Sequence, residues 1–353
     1  MSGGGPGQAG GDRQTIAHDV HAHYYPPEYT RVVAEVAGES GPHAEVARAF
    51  LRHGIIQKVS TFTGNLPERI RVLDAAGIGV QVLSFASLNI WHPDPGQRAR
   101  LTAAQNDGCA AAAAEYPDRL RFLATLPFPH VPETVAEVRR ARTLPGFVGY
   151  TIPTHIDGVG IDDPRWDAVY AVMNEEPALV LVHPDGFCAP GVLGDYSMEW
   201  GLGAPFDDTI AAVRLLCSGI LGRYPSLNWV VPHLGGTLPF LLHRLLWRWE
   251  LEADLLGTAS RGGAQLERLL FDTANSTPST LRLAIDTLPA ESLVFGSDYP
   301  FVDPSDLSRP VAMIRDLSVP GFSADRVLRG ILTPHLTPYN EPDPDPGQEG
   351  HHP

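Results

Sequence analysis

Apolar and polar positions follow a repeating rhythm along this chain: a short apolar run, then a longer stretch with apolar residues at helical spacing. Thr15-Ile16-Ala17-His18-Asp19-Val20-His21 alternates and then breaks at Tyr24-Tyr25-Pro26-Pro27, which predicts a short strand entering a loop. Seven more runs follow, from Ile78 to Ser84, Leu120 to Pro127, Phe147 to Pro153, Ala178 to His183, Leu227 to His233, Leu269 to Thr273 and Ser292 to Asp298. Helix-like stretches lie between them, among them Asn106 to Tyr116, Val131 to Arg142, Pro164 to Asn174 and Phe206 to Leu221. Strands that alternate with helices pair in parallel through right-handed crossovers. Eight such units predict an α/β protein of the (β/α)₈ TIM-barrel class, a fold that needs ~250 residues and gathers functional side chains at the C-terminal ends of its strands.

Composition narrows this picture to one large domain. The 353 residues are 43% hydrophobic and 19% charged, enough to bury a full barrel core, and no run of eighteen apolar residues marks a membrane span. Residues 1–14 begin with a Gly-rich stretch that lacks the apolar centre of a signal peptide, and residues 336–353 end acidic and Pro-rich. Both tails are expected to be disordered, leaving 15–335 as the barrel. Cys109, Cys188 and Cys217 are odd in number and widely spaced, which suits a reducing cytoplasm and small buried thiols better than a disulfide framework. A formal charge of −15 argues against nucleic acid and anionic membranes as partners, because phosphate-rich surfaces call for a basic face.

The chemistry gathers at the predicted strand ends. Side chains repeat every two residues on a strand, so His21 and His23 point the same way and two imidazoles can grip one divalent cation. His183, His233 and Asp298 each stand where a later apolar run stops, and together the five describe a metalloenzyme site. The other histidines, including His43, His53, His92 and His130, are read as ordinary surface or core residues.

Four stretches carry a resemblance: Asp19-Val20-His21-Ala22-His23, Val182-His183-Pro184, Pro232-His233-Leu234-Gly235-Gly236 with Leu238-Pro239-Phe240, and Phe295-Gly296-Ser297-Asp298-Tyr299-Pro300-Phe301. From Ile16 to about Ile331 the chain resembles the amidohydrolase superfamily, in the group that includes aminocarboxymuconate-semialdehyde, γ-resorcylate and 6-methylsalicylate decarboxylases. The resemblance implies that His21, His23, His183 and Asp298 bind one divalent metal and that His233 moves protons. Zinc is the expected ion and manganese the alternative, with no organic cofactor. Binuclear relatives use a carbamylated lysine at the fourth strand. Here that strand ends Pro153-Thr154-His155, and Lys58 is the single lysine, far from it.

The resemblance also implies a reaction: non-oxidative decarboxylation of a small aromatic or unsaturated carboxylic acid, with Asp298 delivering a proton to the carbon that loses its carboxylate, or with a base at His233 activating water first. A mononuclear hydrolase of a lactone or amide is the alternative, and a non-catalytic metal-binding barrel the third reading. Where muconate-type relatives hold a second carboxylate with arginines, this chain has residues near Ser60 and Glu252, which disfavours a dicarboxylate. Phe85, Asn89, Trp91, His155 and Phe187, with Trp200, are expected to wall a flat pocket for a salicylate- or hydroxybenzoate-type acid. Trp229 and Phe271 are assigned to the core, and Arg69 and Arg71 to helix salt bridges. The apolar segment Leu238-Pro239-Phe240-Leu241-Leu242 with Leu245, Leu246, Trp247 and Trp249 is expected to form a homodimer interface. Leu328 to Pro334 departs from the Gly-Asn-Ala that usually opens the closing helix of the group.

Overall fold

The computed structural model describes residues 17–330 apart from 55, 57–63, 87–88, 186–189, 257–262 and 302–305. The expected tails, Lys58, Ser60, Phe187 and Cys188 lie outside the described residues. Eight parallel strands stand in chain order around one sheet: β1 Ala17–His23, β2 Ile78–Ser84, β3 Leu120–Ala124, β4 Phe147–Pro153, β5 Ala178–His183, β6 Leu227–Val231, β7 Leu269–Asp272 and β8 Leu293–Val294. The sheet closes where the chain after β8 returns to β1, through Val20 N–H to Phe295 O at 3.0 Å and Asp298 N–H to His21 O at 2.8 Å. The expected TIM barrel is therefore the fold.

Two apolar layers show how the sequence builds it. Val20, Val80, Val82, Leu123, Val148, Leu179, Leu181, Val230 and Val294 form a cluster, with Leu270 packed against it. Every member comes from a strand and all eight strands contribute, so this layer fills the inside of the barrel. The larger cluster mixes strand residues such as Trp229 and Phe271, both fully buried as expected, with helix residues such as Leu215 and Val311, and forms the outer layer. A third cluster, including Tyr25, Val33, Phe50 and Phe85, joins the helices Pro27–Val36 and Pro42–Arg52 after β1 to the chain after β2. These two helices, each opened by a Pro at its first turn, went unpredicted.

Three strands end earlier than the apolar pattern suggests. The runs toward Pro127, His233 and Asp298 end as regular strands at Ala124, Val231 and Val294. His233 (φ 54°), Leu234 (φ 58°) and Asp298 (φ 60°) adopt the left-handed conformation, which breaks the ladder, and the His233 and Asp298 side chains turn over the barrel mouth. The stretch Pro164 to Asn174 forms as a 3₁₀ turn followed by the helix Asp167–Met173. Phe206 to Leu221 is cut at Gly219 (φ 77°), so that the helix Ala204–Cys217 ends before a separate turn. No helix among the described residues is long and apolar enough to cross a membrane.

Candidate metal centre

On β1, strict alternation would place Val20 and His21 on opposite faces, yet Val20 belongs to the inner layer and His21 sits above it. An irregularity in the β1–β2 register between Asp19 and Ala22 absorbs the mismatch. Asp19 is thereby left on the outer side, where it accepts hydrogen bonds from Gln81 Nε2 (2.8 Å), Ser297 Oγ (2.6 Å) and Ser297 N (2.9 Å). His183 follows Leu179 and Leu181 at the same parity on β5 and faces inward with His21 and His23.

Each of the three histidines has its Nδ1 hydrogen committed elsewhere. His21 Nδ1 donates to Asp272 Oδ2 at 2.7 Å. Ser84 Oγ gives its hydrogen to Ala22 O and so accepts from His23 Nδ1 at 3.2 Å, while His183 Nδ1 donates to Pro184 O at 3.0 Å. Their Nε2 atoms are left as bare acceptors, and those of His21 and His23 are 3.0 Å apart. Two lone pairs at that distance repel unless a cation lies between them. Asp298 Oδ1 completes the set at 2.9 Å from His23 Nε2, and one ligand atom from each of His21, His23, His183 and Asp298 falls within 4.8 Å of all the others. Three neutral imidazoles and one carboxylate fit a single divalent ion. Burial drives His23 down to about 4 and His183 well below the usual range, which keeps both in the ligating form, whereas at His21 burial is outweighed by Asp272 and the pKa is raised, so an ion there would displace a proton.

Beyond Asp298 the electrostatics change sign. Its Oδ2 accepts from Asn275 Nδ2 at 2.7 Å and lies 3.6 Å from His233 Nε2. Burial opposes charge on Asp298, but the flanking imidazoles of His23 and His233 outweigh it and keep the carboxyl ionised, well below its ordinary range. Burial also opposes charge on His233, yet Asp208, 2.9 Å from Nδ1, and Asp298 together raise its pKa well above normal. The Asp208 carboxyl is itself pushed up to about 6 by burial. His233 is thus strung between two carboxylates, with its backbone N–H pinned to Asp272 Oδ1 at 3.0 Å. His233, Asn275 (φ 55°) and Asp298 are all left-handed non-glycine residues, strain that the surrounding bonds maintain.

A cavity of about 380 Å³ opens over this centre, lined by His183, His233, Asn275 and Asp298 on the floor and by Tyr25, His53, Ile56, Trp200 and Phe301 among its walls. Of the expected wall residues that are described, only Trp200 lines it. Phe85 packs behind Tyr25, with ring centroids 5.4 Å apart. Asn89 bonds Asp185 Oδ1 at 2.9 Å, Trp91 lies against Arg98, and His155 stands 3.9 Å from Asp207. These three serve a buried polar band that ties the loops after β2, β4 and β5 together. They are not among the side chains that line this cavity: strand-end position puts a residue at the rim, and loop path decides whether it turns inward.

Several working residues went unread. Asp272 ends β7 at the parity of the inward Leu270, a signal that was present. Asp208, in the middle of the helix Ala204–Cys217, and Asn275 carry none. Arg69 is not in a helix salt bridge. It is fully buried, donating to Gln81 Oε1 at 2.7 Å and to His23 O at 2.9 Å, whereas Arg71 does pair with Glu68 on its own helix. His43 and His92 both meet Glu39 Oε2 at 3.1 Å, but His92 Nδ1 accepts the Asp94 N–H, so its Nε2 carries hydrogen and the trio is a satisfied clasp rather than a metal site.

Comparison with known proteins agrees with this geometry. The model of the amidohydrolase family matches residues 18–325. A 6-methylsalicylic acid decarboxylase of Penicillium expansum is 28% identical over 291 residues, covering 80% of this chain and 84% of that protein. A 2-amino-3-carboxymuconate-6-semialdehyde decarboxylase of Dictyostelium discoideum is 24% identical over 66% of each chain. Among solved structures, 5-carboxyvanillate decarboxylase from Novosphingobium aromaticivorans, complexed with manganese and 4-hydroxy-3-methoxy-5-nitrobenzoic acid, superposes with a TM-score of 0.75 at 20% identity over 91% of this chain and 95% of that one.

Proposed function

Because the chain belongs to the amidohydrolase family, we propose that it is a metal-dependent, non-oxidative decarboxylase of a hydroxybenzoate-type monocarboxylic acid. One observation carries this reading: three bare imidazole nitrogens and Asp298 Oδ1 converge on the floor of an apolar cavity, with His233 against the other oxygen of Asp298. His21, His23, His183 and Asp298 are the proposed ligands. A bound divalent ion there would hold the substrate carboxylate with the neighbouring hydroxyl oxygen and offset their charge. Zinc suits the imidazole-rich set, and manganese, present in the 5-carboxyvanillate decarboxylase, is the alternative.

The protein side of the reaction follows from the hydrogen bonds. Tyr25, Ile56, Trp200 and Phe301 give flat apolar walls that orient a ring and exclude water. His233 supplies a proton from Nε2, its Nδ1 held by Asp208, and Asp298 passes it to the ring carbon that bears the carboxylate. With that carbon tetrahedral, the bond to the carboxylate breaks, its electron pair returns to the ring, and carbon dioxide leaves with the phenol as co-product. Asn275 keeps Asp298 Oδ2 aimed during the transfer.

Two further expectations complete the proposal. Leu238 and Leu242 face inward, but Phe240 (78% exposed) and Trp247 (56% exposed) stand one heptad apart on the same outer face of their helix, and we assign that face to a homodimer. Cys109 and Cys217 stand as thiols and not as disulfides, which suits the cytoplasm. The deciding experiment incubates metal-loaded protein with hydroxybenzoic acids in deuterated water. Carbon dioxide should be released, and the phenol should carry one deuterium where the carboxylate was. A product that retains its carboxylate, with a lactone or amide opened instead, overturns the assignment.

A further inference from the structure

A second cavity of about 410 Å³ adjoins the one over the metal centre, and the proposed reaction leaves it unassigned. Trp200, Ala204, His233 and Asn275 border both, whereas the ligands His183 and Asp298 border the first alone. The space follows from the side chains that face it. Gly201, inside the π-turn Glu199–Gly203, contributes none, and a Cβ added there would meet no described atom within 4 Å. Pro205, Leu234 and Ala274 supply small or apolar walls. The two hydroxyls that border the cavity are engaged: Ser276 Oγ donates to Thr273 O at 2.7 Å, and Thr280 Oγ1 accepts the Thr277 N–H at 2.8 Å. Cavities that hold drug-sized ligands measure roughly 300–1,000 Å³, so the first cavity already suffices for one ring with its carboxylate. The second is room beyond that ring.

We propose that this second cavity binds an alkyl substituent several carbons long, carried on the ring of an aromatic acid whose carboxylate sits at the metal centre. The chain passes Trp200, His233 and Asn275, which border both spaces, and lies against Leu234, Ala204 and Ala274. Each methylene moved from water onto such walls adds about fourfold to affinity when it is fully buried. A charged group would instead give up its hydration for an apolar surface, so the substituent is neutral. The proposal rests on the decarboxylase reading for the acid it names, but its test does not require turnover.

Calorimetry on the metal-loaded protein would compare 2-hydroxybenzoate with 2-hydroxybenzoates that carry a propyl group at each remaining ring position. One regioisomer should bind about tenfold or more tightly than the parent acid. Gly201 borders the second cavity and not the first, so Gly201→Leu should fill it, abolish that preference and leave 2-hydroxybenzoate affinity within about twofold. If Gly201→Leu loses its circular dichroism signature, Thr280→Leu decides instead, because it narrows the same space from the helix Pro278–Thr287 and should reduce the same preference. No regioisomer preferred by the wild type, a preference that survives filling of the cavity, or equal loss for every acid would each overturn the proposal. Selective binding without carbon dioxide release would sink the decarboxylase reading and leave the second cavity standing. Carbon dioxide release with every propyl isomer bound no better than the parent would do the reverse.

Discussion

Replacing Asp272 by Asn should weaken metal binding without removing any ligand. The Asp272 carboxylate works in two directions: Oδ1 accepts the backbone N–H groups of His233 (3.0 Å) and Ala274 (2.9 Å), and Oδ2 accepts from His21 Nδ1 (2.7 Å). An amide has one acceptor atom. Two backbone donors on one side claim it, so the NH₂ group faces His21 Nδ1 and donates to it. The imidazole proton then moves to Nε2, the atom that points at the metal position, and His21 presents a hydrogen where a lone pair is needed. Loss of such outer-sphere partners costs roughly 10–100-fold in metal affinity, which is about 1.4–2.7 kcal/mol. Competition against a chromophoric chelator would measure it, with circular dichroism to show that the barrel persists and excess metal expected to restore part of the activity. An affinity within twofold of wild type would refute the tautomer argument. So would complete unfolding, which would make Asp272 a structural residue of the β6–β7 mouth.

Other substitutions probe the remaining parts. His233→Ala should retain its metal by elemental analysis and lose ~10²–10⁴-fold in turnover, because general acid–base groups contribute on that scale; metal loss would make His233 a ligand instead. Asp208→Asn should lower kcat about tenfold or more with little change in KM, since the carboxylate orients His233 rather than touching substrate; an equal rise in KM would point to a collapsed pocket. At Gly296 an added Cβ would come within 2.8 Å of His21 Cβ and 2.9 Å of Asp272 Cβ, so Gly296→Ala should cost ~1–3 kcal/mol in thermal unfolding through overpacking. Burial pushes the Cys109 thiol up to about 12, so at pH 8 it stays neutral and shielded while exposed Cys217 reacts with maleimide; mapping by mass spectrometry should find Cys109 modified only in denaturant.

The sequence by itself determined the barrel and located its chemical end. A two-residue period is a property of the strand backbone, so β2, β4 and β5 could be bounded to the residue, and His21 and His23 could be placed on one face of β1 before any contact was known. Strand-end position is likewise local, which is why His233 and Asp298 could be read together with them. What the tertiary structure decided is everything that depends on how one strand or loop lies against another. The hydrogen bond that fixes the His21 tautomer joins residues 251 positions apart, and Asp208 reaches His233 from the middle of a helix with no periodic mark to distinguish it. Asn89, Trp91 and His155 went to the rim and His53 to the cavity wall because loop paths and helix packing, which carry no fixed period, set where those side chains point. Arg69 shows the same division: its place on a helix was legible, but its burial beneath His23 arises from the angle at which that helix packs on β1 and β2. Periodicity encodes the frame. The partners that tune each ionisable group are chosen by register, tilt and loop geometry, and these exist only once the barrel has closed.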